Sequence, residues 1–325
     1  MRHRRLGKTG YQVSEIGLGC WQLGGGFGAL GDETAGAILD KALELGVDFW
    51  DTADVYGGGQ SESRIAPKLK AHPNVRVATK LGRNGQLFND GFTREKVKLS
   101  LTGSAKRLGV DTIDLAQLHC VPTAVLEDGS VFNWLDDLRQ EGLIRHYGAS
   151  VETIAQGLIC LKHPGITTLQ IIFNLFRQDA VTELLPLAQK ADVGIIVRLP
   201  LASGLLSGKF GKNQVFAPED HRNFNRDGAA FNVGETFSGL PFEKGVELVS
   251  ALERLNTTGW PLAHLALRWL LDQPAVSSII AGVSRPDQLI ANVEAANRPR
   301  LPSALSAELA SFYADEVRPH VRGGI

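Results

Sequence analysis

The sequence has almost no net charge: 34 Lys and Arg stand against 35 Asp and Glu, a formal −1. That balance offers no electrostatic basis for binding nucleic acid or an anionic membrane surface. Long apolar runs are missing as well. No stretch reaches the roughly 18 apolar residues of a membrane-spanning helix. The basic start, Met1-Arg2-His3-Arg4-Arg5, has no apolar core behind it to make a secretory signal. Cysteine is scarce: Cys20, Cys120 and Cys160 are odd in number and form no C-x-x-C. They read as reduced thiols in a reducing compartment, hence a cytoplasmic chain, rather than as a disulfide framework. Asn256-Thr257-Thr258 matches a glycosylation sequon but carries no weight without an export signal. A linker is also missing. No composition break divides residues 1–325, and 43% hydrophobic with 21% charged residues supports one soluble domain with a sizeable core.

What the chain does have is alternation. A short apolar run, Val47 to Trp50, stops at Asp51 and passes through Asp54 and Tyr56 into Gly57-Gly58-Gly59. An apolar strand that ends on a carboxylate and spills into a glycine-rich loop suits a catalytic edge. On these residues alone, a surface loop with solvated acids fits equally. Two later strands behave alike: Val75–Thr79 runs into Lys80, and Ile113–Leu118 into His119. The stretch Gly26-Phe27-Gly28-Ala29-Leu30-Gly31 matches G-x-G-x-x-G, with Asp51 twenty residues on. The strand before it ends near Cys20, however, so the tight strand-to-helix turn of a dinucleotide fingerprint is missing.

Thr9-Gly10 marks a hairpin turn. Beyond it, apolar runs predict strands at 16–21, 47–50, 75–80, 113–119, 145–150, 168–173, 194–199 and 276–281. Between and after them, helical periodicity and caps predict helices at 33–45, 61–70, 93–108, 132–140, 154–161, 184–191, 242–255, 262–271 and 286–296. Strands that alternate with helices make a parallel sheet, and eight such units fit a single closed (β/α)8 barrel. The active site of such a barrel lies at the C-terminal ends of its strands. Trp21, Asp51, Lys80, His119, Ser150, Gln170, Arg198 and Gly282 fall at or just beyond those ends, one per strand.

With these residues laid out, the chain resembles the aldo-keto reductases over roughly Arg4 to Ala296. The matching stretches are Leu6-Gly7-Lys8-Thr9-Gly10, Gly17-Leu18-Gly19-Cys20-Trp21, Asp51-Thr52-Ala53-Asp54-Val55-Tyr56-Gly57 and Leu118-His119. Further matches are Gly148-Ala149-Ser150, Pro200-Leu201 through Gly204 to Gly208-Lys209, and Gly282 through Gln288 to Asn292. The resemblance implies reversible reduction of an aldehyde or ketone with a nicotinamide cofactor, NADPH, and a catalytic tetrad of Asp51, Tyr56, Lys80 and His119. It implies a small-molecule carbonyl or alcohol partner, no metal, and no particular oligomer. Cofactor contacts carried over by position are Cys20, Trp21, Ser150, Gln170, Arg198, Leu201, Gly204, Gly208, Lys209, Gly282, Ser284, Arg285, Gln288 and Asn292.

The chemistry suits those residue types. Free tyrosine, with a pKa of about 10, is a weak acid at neutral pH. A Lys80 ammonium beside Tyr56 would lower that pKa by roughly one to three units, and Asp51 would keep Lys80 charged. His119 would hydrogen-bond the carbonyl oxygen. Ser284-Arg285-Pro286 opens the last barrel helix, and a helix N-terminus with an arginine is an anion site. The bland alternatives are a buried Asp51–Lys80 pair, a core His119 and a packing Tyr56.

The chain also departs from the family. Val151 and Ala291 replace an asparagine and a glutamate that many relatives carry, and Arg198 stands where a stacking tyrosine is usual. Arg198 would then lie on the nicotinamide face and favour NADPH over NADP⁺, unless it turns away to pair with an acid or a phosphate. The segment 208–242 holds Phe210, Phe216, Phe224, Phe231, Phe237 and Phe242 and reads as a lid over an apolar substrate. Two rival functions remain. One is a non-catalytic regulatory subunit of the potassium-channel β type. The other is a barrel glycosidase using Asp51, Asp54 or Glu62, which leaves Lys80, His119 and Arg285 without a role.

Overall fold

The structure, a computed structural model, describes all residues except 26, 27, 29 and 325. Half of the G-x-G-x-x-G stretch, residues 26, 27 and 29, therefore lies outside the described residues. An N-terminal hairpin, β1 (His3–Arg5) and β2 (Gln12–Ser14), turns through Gly10, whose φ of 74° favours glycine. Eight parallel strands then close a barrel: β3 (Ile16–Gly19), β4 (Phe49–Asp51), β5 (Arg76–Leu81), β6 (Ile113–His119), β7 (Ile144–Ser150), β8 (Ile166–Ile172), β9 (Gly194–Arg198) and β10 (Val276–Gly282). Each pairs with the next, and β10 closes on β3.

The helices stand where the sequence signals place them. Thr93 caps Arg94–Leu108 by accepting from the Lys96 N–H, Gly109 ends that helix with φ 68°, and Thr153 caps Ile154–Leu161 in the same way. Three α-helices among the described residues have no counterpart in the expected pattern, the four-residue His221–Phe224 being one of them. Thr123–Asp128 is too short to show a period, and Ser303–Phe312 lies beyond the last barrel unit, burying Leu305, Leu309 and Phe312.

Alternation along the strands sorts side chains into two sets. One set points outward beneath the helices and includes Trp50, Val77, Leu118, Ala149, Leu169 and Val197. The other fills the barrel in layers. Its floor is apolar: Phe49, Ala78, Leu115, Ile196 and Ile280, plugged from below by Leu6 and Val13 of the hairpin. Two residues further along the same strands stand Asp51, Lys80, Gln117 and Arg198, all buried, and Gln170 of β8 is buried with them. A polar layer on an apolar floor results from the period of two, and it lies at the C-terminal mouth.

The long segment after β9 differs from the expectation. Phe216, Phe237 and Phe242 are buried and pack on one another, with ring centroids 5.0 to 5.8 Å apart, and Phe210 joins them 5.3 Å from Phe216. These four phenylalanines pack together as part of the main hydrophobic core and anchor the segment to it. Of the six phenylalanines in this segment, Phe231, with Phe224 behind it, reaches towards Trp21, at 6.4 Å. Phe237→Ala should therefore lower unfolding stability in urea by about 3–5 kcal/mol, as for a buried phenylalanine in a rigid core. A loss below about 0.5 kcal/mol would fit a loose apolar cover instead.

Candidate active site

The polar layer is organised around the Lys80 ammonium. Lys80 and Asp51 are each about 1% exposed and form an ion pair. The Lys80 Nζ also donates to the Thr52 carbonyl oxygen at 2.9 Å and to the Tyr56 hydroxyl at 3.1 Å, so all three donors are used. Oδ2 of Asp51 accepts from Nε2 of Gln117 at 2.9 Å and Nε2 of Gln170 at 2.8 Å. Such saturation is what makes a buried charge tolerable.

Tyr56 reaches this layer because the chain turns back after β4. The Asp54 N–H donates to the Lys80 carbonyl oxygen at 3.2 Å, and Gly57, Gly58 and Gly59 all take positive φ. Gly24 lets the neighbouring loop close on this turn, since a Cβ there would lie 2.5 Å from the Tyr56 carbonyl carbon. Around the phenol stand Trp21, stacked at 5.9 Å, and His119, edge-on at 5.8 Å. His221 lies 4.7 Å from Trp21.

Burial sets the protonation states. It pushes the Tyr56 phenol above its ordinary range, and the pull of Lys80 offsets only part of this. The expected lowering of Tyr56 is therefore corrected: a phenolate out of water loses more than the ammonium returns. For Lys80, burial opposes the charge, but Asp51 and Tyr56 outweigh it and hold the ammonium more firmly than usual. Burial, with Arg83, Lys80 and Arg198 nearby, drives His119 well below its usual value, so its ring is neutral. Asp54, desolvated beside Ser100, is pushed up to about 6.

A second cluster adjoins the first, and the sequence reading missed most of it. Arg198 lies 3.4 Å from Glu235 and donates to the Val151 carbonyl oxygen at 3.1 Å and to the Cys120 sulfur at 3.5 Å. Arg83 pairs with the same Glu235 and with Glu152 at 3.2 Å. Arg198 has thus turned to an acid, and the expected free guanidinium is not what the structure shows. Arg83 follows β5 by two residues and could have been found by the strand-end rule. Glu235 comes from the irregular segment, where no periodicity marks it. Cys120, Glu152 and Glu235 bring donor atoms within 4.8 Å of one another, but the two arginines already compensate both carboxylates.

The other predicted contacts fall into place less tightly. Ser150 ends β7 beside His119 in register, and the Gln170 amide is engaged by Asp51 and Gln117. The Cys20 thiol is fully buried and lies within the field of Asp51 and Lys80. Leu201, Gly204 and Gly208 shape a tight turn after β9 in which Gly204 and Gly208 have φ of 98° and 72°; Lys209 beyond it is exposed. Gly282 ends β10 against the Gln22 amide, where a Cβ would lie 2.3 Å away. Gln288 accepts from the Ser284 and Arg285 N–H groups, Asn292 is buried one turn on, and Arg285 is exposed, 3.1 Å from Asp287.

The sequence model of the Aldo/keto reductase family matches residues 15–314. The chain is 33% identical to the uncharacterised oxidoreductase YqkF of Bacillus subtilis over 316 residues, 93% of each chain. It is 31% identical to a probable voltage-gated potassium channel subunit beta of rice, over 91% of each. Among solved structures, the holo form of aldo-keto reductase AKR11C1 from Bacillus halodurans superposes with a TM-score of 0.78 at 27% identity, covering 96% of both chains.

The depressed His119 has a measurable consequence. Below an unfolded value of about 6.5 the unfolded chain takes up a proton that the folded site refuses. His119 therefore makes stability fall as pH drops through that value and the range beneath it. NMR of the labelled ring should show the neutral form persisting through mildly acidic pH; protonation near its ordinary midpoint would contradict the burial argument.

Proposed function

The chain belongs to the aldo/keto reductase family, and from that premise we propose that it reduces an aldehyde or ketone to an alcohol with NADPH, Tyr56 acting as proton donor. The observation that carries this reading is the Lys80 ammonium, hydrogen-bonded at once to Asp51 and to the Tyr56 hydroxyl at 3.1 Å.

Hydride from the bound nicotinamide is the chemistry the cofactor would supply. The residues present fit such a group. Gln22 Oε1, His119 Nδ1 and Arg198 Nε are buried polar atoms with no hydrogen-bond partner among the described residues, all at the mouth of the barrel. Ser150 and Gln170 offer polar groups for a carboxamide. Arg285, exposed beside the last barrel helix, is held only by an exposed pair to Asp287, which costs little to break. It is the residue we assign to the 2′-phosphate, with Gln288 and Asn292 towards the adenosine. Leu201, Gly204, Gly208 and Lys209 would frame the pyrophosphate.

Tyr56 holds its proton at neutral pH, as a phenol ordinarily does and as burial reinforces against the pull of Lys80, and that is the form a general acid needs. As negative charge grows on the substrate oxygen, the phenol gives up its proton and Lys80 stabilises the phenolate left behind. Neutral His119 can donate a hydrogen bond to the same oxygen without competing as an acid. Trp21 and Phe231 present an aromatic wall that continues into polar groups, with the Arg83 guanidinium 5.7 Å from the Phe231 ring and paired to Glu235.

A regulatory role remains the second reading, favoured by the 31% identity to the rice channel subunit beta. Turnover separates the two. A panel of simple aldehydes and ketones, assayed with NADPH and NADH side by side, should give NADPH-dependent reduction. Tyr56→Phe should lower it by about 10² to 10⁴, the contribution of a general acid, with NADPH affinity nearly unchanged. A variant within about threefold of wild type would remove Tyr56 from the proton-donor role.

A further inference from the structure

Gln117 is the one member of the buried polar layer to which neither the tetrad nor the cofactor contacts give a role. It lies in the middle of β6, fully buried, in register with Lys80 on the neighbouring strand. A glutamine there is an anomaly. The residue two positions before it on the same face is Leu115 of the apolar floor, and a leucine or methionine would continue that floor. Both ends of its amide are engaged. Nε2 donates to Asp51 Oδ2 at 2.9 Å, and Oε1 accepts from Gln170 Nε2 at 3.3 Å. Gln170 Nε2 also reaches Asp51 Oδ2, at 2.8 Å. The two amides thus share one carboxylate oxygen, while the other oxygen is left to Lys80.

We propose that Gln117 is a positioning residue for the reaction: it fixes the Asp51 carboxylate so that Lys80 keeps its charge directed at Tyr56. The inference rests on the carbonyl-reductase reading above. Its logic is competition for one ammonium. Lys80 divides its hydrogen bonds between a full negative charge on Asp51 and the Tyr56 hydroxyl. Donors on Oδ2 disperse the Asp51 charge, so Asp51 draws less on the ammonium and more of its field reaches the phenol. Gln170 cannot hold this role alone, because the reading assigns it to the carboxamide, and an amide turned towards a ligand stops donating to Asp51. Gln117, buried beneath, is the donor that remains.

The groups that face this layer from each packed element are few. Lys80 comes from β5, Tyr56 from the loop after β4, and Cys20 from the end of β3; Arg83 acts on Tyr56, and Arg83, Lys80 and Arg198 act on His119. None of these is a second donor to Asp51 Oδ2.

Gln117→Met keeps the length of the side chain and removes the donor. Without it Asp51 draws Lys80 in more strongly, phenolate is less stabilised, and Tyr56 holds its proton to higher pH. Reduction uses the phenol and alcohol oxidation uses the phenolate, so the two directions should part. At mildly alkaline pH, kcat for oxidation should fall about tenfold, the effect of losing one hydrogen bond to a charged group. The alkaline limb of reduction should move up by about half a unit to one unit, with KM for the carbonyl little changed. Gln117→Glu serves as a near-isosteric rescue. While protonated, its carboxyl can donate to Asp51; once ionised it repels Asp51, so its profile should contain an ionisation absent from wild type and from Gln117→Met.

Equal losses in both directions with unmoved limbs, or no loss at all, would overturn the proposal and leave Gln117 a packing residue. If Gln117→Met does not fold, the Glu variant decides alone: the extra ionisation supports the proposal, and a wild-type profile overturns it. Wild-type protein with no reductase turnover would overturn the functional reading itself, an outcome distinct from either.

Discussion

Everything at the mouth of this barrel depends on one buried cation. Lys80 is inside, out of water, and an ammonium in that position loses its proton unless a negative charge and hydrogen bonds hold it. Asp51 supplies the charge, Thr52 and Tyr56 accept the remaining bonds, and two glutamine amides satisfy the far side of the carboxylate. A buried pair of this kind adds little net stability. Its value is to place a fixed positive charge beside a phenol that burial helps to keep protonated.

The fold is arranged to make that possible. Strands of period two set an apolar floor first and a polar layer above it, and the N-terminal hairpin seals the floor from below. The glycine turn after β4 brings Tyr56 back over Lys80. The long segment after β9 is anchored to the main core by its phenylalanines and reaches the mouth with Phe231 and Glu235. Glu235, bridged by Arg83 and Arg198, fastens that segment to the ends of β5 and β9. The segment and the polar layer are thus joined by charge, and both arginines bear on the protonation of His119.

Much of this was legible in the sequence, for a definable reason. Alternation and caps gave the eight strands and the helices of the barrel, and polar residues at strand ends gave Asp51, Lys80 and His119. Tyr56 stood out beside Asp51 in the same strand-end stretch, but its role as proton donor came from the family resemblance, since it lies in a loop with no period. What sequence could not give was burial. The sign of the Tyr56 shift depends on how much water the folded loops exclude, and Arg198 finds Glu235 only because an irregular segment folds back 37 positions later. The phenylalanines of 208–242 misled for a related reason: composition shows that they are apolar, not which way they face. Gln117 went unmarked because one amide inside a strand has no pattern of its own.

The central claim is that the Lys80 charge governs the Tyr56 proton. It is tested most directly by titrating the Tyr56 phenol, as a difference spectrum against Tyr56→Phe, in wild type and in Lys80→Met. The account predicts that losing the ammonium raises the phenol midpoint by at least about one unit, the scale of one close charge, and that NADPH-dependent reduction collapses with it. An unchanged midpoint in a folded Lys80→Met protein would contradict the account.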